Sequence, residues 1–523
     1  MSSKQKSSIV SAFKMHGLTL RSEASKYLVE ALSSISESDV AECIDRIIES
    51  IQKQSLSSSM LDRATVEQAV EDCNQEQEED NDKVLTVIDA FTVPRYTYMT
   101  ERKKFLSNKA LGIADPCIHG DSKDKVDLFR DRYTILHQRT SRHDLFTPTV
   151  IGSRDTKAKK FELKPIEFLL GSTAKLGDII VLGMLTQLKE GKWFLEDPTG
   201  AVQLDLTKAN FHTGLFTENS FVLAEGWYED ELFHINAFGF PPPEPSRTTR
   251  NFFGNINFFG GQSETSVKAS SRLRQIEQEN ETAMFVFLSD LWLDNLKVFE
   301  KLRTLFTGFS ESPPTCFVFS GNFSSTPYGS THIKEMKDNF DTLANLILEF
   351  PSLVEHSKFI FIPGPRDPGP ANILPRPSLP EVITQGFQEK IPNSRFTSNP
   401  CRIQYCTQEI VVFREDIVTK MCRNCVKFPD QGDVPEHFAK TIICQGHLCP
   451  LPLHVSPIYW AHDVALRTYP LPDVIVCADK YDSFSVSQVD CQVVNPGSFP
   501  RNDYSFKVYY PANRHFEESK ISD

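Results

Sequence analysis

The sequence lacks an excess of basic residues. Its 523 residues carry 56 Lys and Arg against 69 Asp and Glu, which gives a formal net charge of −13. Because contact with nucleic-acid phosphates depends on Lys and Arg, this balance argues against a general nucleic-acid-binding surface and leaves room only for a local basic patch. We therefore expect any DNA contact to be indirect or weak.

Targeting and membrane signals are also missing. The opening residues, Met-Ser-Ser-Lys-Gln-Lys-Ser-Ser, contain no apolar signal core, and no uninterrupted apolar run approaches the length of a membrane span. We expect no membrane contact. The 12 cysteines are scattered, and several lie in predicted strands or helices. This pattern indicates reduced, buried thiols in an intracellular protein.

The common catalytic and metal signatures are absent or incomplete. No Gly-x-Ser-x-Gly turn is present, and residues 1–73 hold no Gly-rich phosphate loop. Two groups have part of the spacing of zinc ligands: Cys401, Cys406, Cys422 and Cys425, and Cys444, His447 and Cys449. The first group has four residues within its upstream pair rather than two, and the second lacks a fourth ligand. We expect no metal at either group and no cofactor.

Composition and hydrophobic pattern divide the chain into six segments. They are a helical N-terminal domain (1–73), an acidic flexible linker (74–83), a connecting mixed α/β region (84–160), an OB-fold (161–245), a second linker (246–281) and an αβ domain (282–523). The length allows two to four domains of ordinary size.

The first segment shows apolar residues at helical spacing. One predicted buried face consists of Val40, Cys43, Ile44, Ile47, Ile48 and Ile51. Ser22 precedes a further helical run as an N-cap, and Asp62 or Thr65 begins another. We expect a compact helical bundle that serves as an interaction module. The polar and acidic stretch from Asn74 to Asp82 buries too little apolar surface to fold, so it predicts a tether.

The most basic stretch lies within residues 84–160 and includes a predicted helix from Lys123 to Gln138 and the residues just after it. Its cations are Arg130, Arg132, Arg139 and Arg142. Helical spacing predicts an apolar face with the charges on the opposite side; that face consists of Val126, Phe129, Tyr133 and His137. An ordinary amphipathic helix is favoured over a nucleic-acid contact.

The pattern then changes to short strands separated by turns, which predicts an OB-fold barrel. The predicted strands lie at 178–185, 192–196, 201–206, 221–228 and 232–235, and a short helical link lies near 207–211. Single-strand binding by such a barrel needs a cationic groove with stacking aromatics. The barrel is instead rich in carboxylates, so protein contact is favoured over DNA contact. In the linker that follows, the near-repeat Asn251-Phe-Phe-Gly and Asn257-Phe-Phe-Gly is expected to attach the linker to the folded body.

Apolar runs between Ala283 and Phe499 each lead into a short polar loop. The loops lie at 289–292, 320–322, 363–367, 478–481 and 495–498. Such runs, separated by helix-period segments at 294–309 and 333–350, are typical of buried sheet strands. The carboxyl ends of these strands are where an α/β sheet places a site.

The order and spacing of these loops resemble those of the calcineurin-like metallophosphoesterases, which hold two metal ions through carboxylate, imidazole and amide ligands. The positions that correspond to that site are Asp290, Trp292, Asn322, Pro365, Arg366, Asp367, Asp479 and Tyr481. Indole and pyrrolidine rings offer no ligand atom, and a guanidinium brings a fixed positive charge. The resemblance therefore implies a phosphoesterase fold without its metal centre or catalytic residues.

A ligand-poor phosphoesterase sheet preceded by an OB-like stretch resembles the B-subunits of eukaryotic replicative DNA polymerases. The stretches Gly446-His-Leu-Cys-Pro-Leu-Pro-Leu453 and Tyr469-Pro-Leu-Pro-Asp473 look most like those of the polymerase epsilon B-subunits. The resemblance implies a multidomain α+β fold: an N-terminal helical bundle similar to the lid of AAA+ ATPases, an OB-fold, and an inactive phosphoesterase αβ sandwich.

The same resemblance implies a nuclear, non-catalytic subunit in DNA replication. Its partners would be the C-terminal region of the polymerase epsilon catalytic subunit, the replicative helicase via the GINS complex through the N-terminal domain, and, indirectly, the small histone-fold subunits of the holoenzyme. Two alternatives stay open at this point: a single-stranded-DNA-binding OB protein, and an active phosphoesterase with rearranged ligands.

One contact follows from the loss of the metals. An unpaired carboxylate at Asp290 would be costly to bury. We expect an ion pair between Asp290 and Arg366, or between Arg366 and either Asp367 or Asp479, to fill part of the former metal pocket. Trp292 is expected to fill much of the rest.

Overall fold

The computed structural model describes residues 11–14, 18–31, 44, 47–48, 51, 60–70, 84–147, 161–254, 256–263, 265–327, 332–370 and 372–521. The chain forms two compact units, Met1–Leu85 and Thr86–Asp523. The predicted acidic tether lies outside the described residues. Within the described ranges, no helix has the length and apolar character that crossing a membrane requires.

The first unit contains helical segments around an apolar cluster. Helix α1 spans Ser22–Ala31, residues 11–14 and 63–70 are helical, and strand β1 (Thr19–Leu20) pairs in parallel with β2 (Met60–Leu61). Asp62 caps the segment 63–70, because its carboxylate accepts a hydrogen bond from Thr65 N at 3.0 Å. The predicted face is helical and buried at Ile44, Ile47, Ile48 and Ile51, whereas Val40 and Cys43 lie outside the described residues.

The second unit begins with strand β3 (Leu85–Asp89) and a short antiparallel hairpin of β4 (Tyr96–Met99) and β5 (Lys104–Ser107). Helix α2 (Ser122–Arg142) follows. A capping box starts it: the Asp121 side chain accepts the N–H groups of Lys123 and Asp124, and the Asp124 side chain accepts the N–H of Asp121.

The predicted apolar face of α2 is wrong. Val126 is 46% exposed, while Arg132 and Arg139 are buried. Two guanidinium groups reach distant loops of the same unit: Arg132 Nε donates to Asp463 at 3.1 Å, and Arg139 donates to the carbonyl of Cys444. The helix therefore turns part of its charged face inward, because partners supplied by the fold satisfy the guanidinium groups.

A closed barrel follows helix α3 (Ile166–Leu170). Its strands are β6 (Leu176–Lys189), β7 (Lys192–Asp197), β8 (Gly200–Asp205), β9 (Asn210–Phe211), β10 (Phe221–Glu229) and β11 (Leu232–Gly239). The long β6 pairs with β10 along one part and with β7 along the other, β8 runs parallel to β11, and β10–β11 pairing closes the barrel. This is the predicted OB-fold. The predicted helical link at 207–211 is instead a turn followed by β9.

The predicted linker is structured where it is described. It contains α4 (Ser246–Phe253) and α5 (Ser271–Glu279). Phe253 packs edge-on against Phe105 with ring centroids 4.8 Å apart, and Phe258 packs against Phe105 at 5.1 Å. The expectation that these phenylalanines attach the segment to the folded body is confirmed.

Two six-stranded sheets form the last domain. The first has the order β15-β14-β13-β12-β21-β22 and the second β19-β20-β18-β17-β16-β3. Their strands are β12 (Phe285–Ser289), β13 (Cys316–Ser320), β14 (Lys358–Ile362), β15 (Ser394–Phe396), β16 (Cys401–Tyr405), β17 (Gln408–Arg414), β18 (Val474–Ala478), β19 (Phe484–Gln488), β20 (Cys491–Asn495), β21 (Ser505–Tyr510) and β22 (His515–Lys520). Strands β12 to β15 are parallel, as are β17, β18 and β20.

The sheets pack against each other and against helices on their outer faces. Between them, Phe285 meets Tyr405 edge-on at 5.2 Å, and the Tyr509 hydroxyl donates to Gln408 Oε1 at 2.9 Å. The covering helices are α6 (Leu296–Phe309), α7 (His332–Leu348), α8 (Pro351–His356), α9 (Glu381–Lys390), α10 (Ile417–Arg423) and α11 (Val434–Gln445). Because both sheet faces are covered, central strands such as β12, β13 and β18 are apolar at nearly every position, as the sequence predicted.

Candidate site at the strand ends

The carboxyl ends of the central parallel strands meet at one edge of the two sheets. Asp290 directly follows β12, Asn322 follows β13 by one residue, Asp367 lies in the loop after β14, and Asp479 directly follows β18. All four side chains are buried. The structure therefore brings together residues that the sequence placed at separate strand ends, as expected for parallel strands.

Arg414 lies at the centre of this edge. It is the last residue of β17, and its side chain is 1% exposed. The guanidinium donates to Asp290 Oδ1 at 2.8 Å, to Asp416 Oδ1 at 2.9 Å and to the Ala478 carbonyl at 3.1 Å, and its Nε donates to the Gly321 carbonyl. One side chain from the second sheet thus connects loops of both sheets.

The Asp290 carboxylate depends on that guanidinium. It also accepts hydrogen bonds from the backbone N–H and the side-chain amide of Asn322, each at 3.1 Å. Burial raises the pKa of Asp290, but the charge of Arg414 and these hydrogen bonds outweigh burial and leave the pKa below its ordinary value. The carboxylate is therefore ionised and internally paired.

A second set of hydrogen bonds joins the loops after β13 and β14. Asp367 accepts the N–H groups of Phe323 and Gly364, each at 2.7 Å, with its two oxygens. Burial raises the pKa of Asp367 to about 6. The loops touch so closely that a Cβ atom at Gly321 would overlap the Asp367 carboxylate, so glycine is required there by close approach.

Asp479 holds the start of α10. Its carboxylate accepts the N–H of Val418 at 2.9 Å and that of Tyr481 at 2.8 Å. Burial raises the pKa of Asp479 to about 6 despite these hydrogen bonds. Both carboxylate oxygens therefore already accept hydrogen bonds from backbone N–H groups. The Tyr481 side chain packs against the apolar cluster between the second sheet and its helices.

The predicted ion pairs of Arg366 are wrong. The Arg366 side chain is exposed and forms no ion pair with any described residue, although its backbone N–H donates to Asn322 Oδ1 at 2.8 Å. Pro365, beside it, contributes its carbonyl, which accepts a hydrogen bond from Arg376 at 3.4 Å. The partner of Asp290 is Arg414, because a residue on the facing sheet can point into the pocket whereas the loop carrying Arg366 turns outward.

The expectation that Trp292 fills much of the former metal pocket stays a prediction. The indole is half-buried, packs against the helix-covered cluster of the first sheet and lies 5.2 Å from the Arg501 guanidinium. Sequence reasoning missed Arg414, because no strand was predicted at residues 408–414 and no role was assigned to this arginine. A signal was available, since the apolar run Ile410-Val-Val-Phe413 leads directly into the charged residues Arg414-Glu415-Asp416.

The partial zinc groups have other partners. His447 lies between Arg132 and Asp463, and its Nδ1 accepts the N–H of Cys449 at 3.0 Å. Burial lowers the pKa of His447 to about 4, so the imidazole is neutral at physiological pH. Across the described ranges, no group of three or more His, Cys, Asp or Glu side chains has an arrangement that could hold a metal ion.

Three family models match the chain in sequence order. The first is described as "DNA polymerases epsilon N terminal" and matches residues 1–73, and the second as "DNA polymerase epsilon subunit 2-like, OB-fold domain" and matches 122–242. The third describes the B-subunit of DNA polymerases alpha and epsilon and matches 285–486. That last range contains all eight positions that the sequence assigned to the former metal site.

Relatives match over nearly the whole chain. "DNA polymerase epsilon subunit 2" of Homo sapiens is 59% identical, covering 99% of this chain and 98% of that protein. The protein of the same name from Drosophila melanogaster is 42% identical, covering 98% and 97%. The polymerase epsilon B-subunit of Saccharomyces cerevisiae is 29% identical, covering 83% and 75%.

A solved archaeal phosphodiesterase aligns with 46% of the chain and 99% of its own length at 10% identity and a TM-score of 0.25, a similarity too low to support an argument. The relatives that match over nearly the whole chain show which family it belongs to. The chain belongs to the family of DNA polymerase epsilon B-subunits, the non-catalytic accessory subunits that associate with the catalytic subunit of that polymerase.

Proposed function

We propose that the chain is a docking scaffold that holds the C-terminal region of the polymerase epsilon catalytic subunit and links it to the replicative helicase. The observation that carries this proposal is the Arg414 guanidinium, which is paired with Asp290 and Asp416 at the strand ends. A site whose carboxylates are neutralised by an internal cation has no ligand set to offer a metal, and its remaining use is structural.

The eight strand-end positions are, in this proposal, remnants of a two-metal site. Asp290, Asn322 and Asp367 now make hydrogen bonds within the protein, and Asp479 fixes the start of a helix. The fixed charge of Arg414, 2.8 Å from Asp290, would repel a dication at that carboxylate. These contacts support an inactive calcineurin-like sandwich.

The OB-fold serves protein contact in this proposal. The faces of Trp227 are already covered: His234 stacks on the indole with centroids 3.8 Å apart, and the Lys175 ammonium lies 4.2 Å from the ring centroid. Trp193 packs against the barrel core. Stacking platforms for bases must be open, so these indoles favour protein docking over single-stranded-DNA binding.

The first unit would act as the contact to the helicase. We propose that its helical segments form a bundle similar to an AAA+ lid and bind the GINS complex, while the small histone-fold subunits associate only indirectly. The apolar cluster beneath α1, which includes Phe13, Leu28 and Ile47, supports an independent folded module. We also propose a nuclear location, which a role in DNA replication supports.

Affinity purification of the tagged full-length chain from cells tests this function. We expect a large polypeptide, the polymerase epsilon catalytic subunit, to co-purify in equal amount. A chain without residues 1–83 should keep that partner and lose the helicase components. Metal analysis by mass spectrometry and a phosphodiesterase assay on the same material should give only background. Stoichiometric divalent metal with hydrolysis would support the active phosphoesterase instead.

A further inference from the structure

An apolar groove of about 440 Å³ lies where the start of α2 meets the loops that precede β18. We call it the Trp460 groove, and it is defined by Ile118, Lys125, Leu453, Ile458, Tyr459 and Trp460. Its volume is within the range of about 300–1,000 Å³ that is typical of ligand pockets. It is separate from the strand-end site.

Of the exposed apolar residues in this part of the chain, Ile118 lines the groove. Ile118 is 50% exposed, and Val126, beside the groove residue Lys125, is 46% exposed. Ile118 belongs to a stretch, 111–119, that is irregular and mostly exposed yet also carries Leu111 and Ile113 at the surface. An exposed apolar side chain such as Ile118 at the mouth of an apolar groove is typical of a protein interaction site.

The charged side chain that lines the groove indicates the chemistry of the partner. Lys125 lies 5.7 Å from the Trp460 ring centroid, and neither Lys125 nor the two groove histidines, His119 and His454, forms an ion pair with any described residue. Among the described residues, no carboxylate lines the groove. The nearest ones in sequence, Asp121 and Asp124, accept backbone hydrogen bonds in the capping box of α2. The Lys125 ammonium, which has no ion-pair partner among the described residues, is therefore available to a carboxylate of a partner.

We propose that the Trp460 groove binds an apolar segment of the catalytic subunit that carries at least one carboxylate. The apolar side chains of the segment would enter between Ile118 and Trp460, and the carboxylate would pair with Lys125. This inference rests on the proposed scaffold function and adds the surface and the chemistry of the bound segment. Aromatic residues such as Trp460 often carry much of the binding free energy in protein interfaces.

The test uses the complex of the full-length chain with the catalytic subunit. A tagged complex is mixed with excess untagged chain, and subunit exchange is followed, because interface substitutions act mainly on dissociation. Ile118→Glu and Lys125→Glu should each speed exchange about tenfold. Val382→Glu is the matched control, since Val382 is 58% exposed on α9, and it should leave exchange unchanged. Lys125→Arg should also leave it unchanged.

A photo-crosslinking residue at position 118 identifies the occupant. We expect a crosslink to the catalytic subunit, mapped to an apolar peptide with an acidic residue. If Ile118→Glu and Lys125→Glu exchange at the wild-type rate, the inference is overturned and the scaffold function is unaffected. A crosslink to a second copy of the chain would have the same two consequences. Failure of the wild-type chain to capture the catalytic subunit would instead refute the scaffold function. Unchanged melting temperatures of the variants show that the effect is at the interface.

Discussion

Replacement of Arg414 by methionine removes the cation that neutralises Asp290. The two side chains are 1% and 4% exposed. Removing one partner of such a buried pair leaves an uncompensated charge and costs about 3–5 kcal/mol of unfolding free energy. We therefore expect Arg414→Met to destabilise the second unit by that amount at pH 7. Arg303→Met, which breaks an exposed pair with Glu349, should leave stability unchanged.

The expected pH dependence has a defined sign. In the wild-type protein the pKa of Asp290 is lowered, so its stabilising contribution is present above about pH 4 and is lost as the pH falls further. Without Arg414, burial raises that pKa, and the ionised carboxylate then costs stability at pH 7. The pKa values of Asp367 and Asp479, about 6 in the presence of Arg414, rise as well. The stability difference between variant and wild type should therefore narrow from pH 7 toward pH 5.

Urea unfolding followed by tryptophan fluorescence measures this difference. All four tryptophans, Trp193, Trp227, Trp292 and Trp460, belong to the second unit, so the signal does not include the first. A loss of less than about 1 kcal/mol, or a difference that widens on acidification, would refute the assigned pairing. In the double variant Arg414→Met with Asp290→Asn, the loss should be smaller than in Arg414→Met alone, because the buried charge is gone.

Two further substitutions test close contacts in the same unit. Gly321→Ala should lower its urea midpoint strongly, because the added Cβ would overlap buried atoms of the neighbouring loop, whereas Gly177→Ala, with no atom near its Cβ, should not. Arg132→Met should also lower the urea midpoint, but by less than Arg414→Met, because the buried Asp463 keeps its ion pair with Arg467 at 2.9 Å. Arg130→Met, on the exposed side of the helix, should change the midpoint little; equal effects of the two arginine variants would contradict the assigned burial.

The sequence by itself determined the barrel, the strands that lead into the five polar loops, and which former ligand positions carry side chains unable to bind a metal. Runs such as Phe285–Ser289 and Cys316–Ser320 are apolar at nearly every position, which is possible only where both faces of a sheet are covered. The indole of Trp292 and the ring of Pro365 cannot bind a metal in any fold. These conclusions depend on local composition and on side-chain chemistry, both of which are readable without coordinates.

Only the tertiary structure decided which charges meet. Asp290 and Arg414 are 124 residues apart in sequence, and Arg132 and Asp463 are 331 apart. A periodicity rule treats an arginine as exposed, because it contains no information about a carboxylate brought from a distant loop. The ion pair was therefore assigned to the exposed Arg366 while Arg414 was overlooked, and the buried face of α2 was assigned to the wrong side chains. Long-range pairing of buried charge follows from packing, and packing is set by the whole chain.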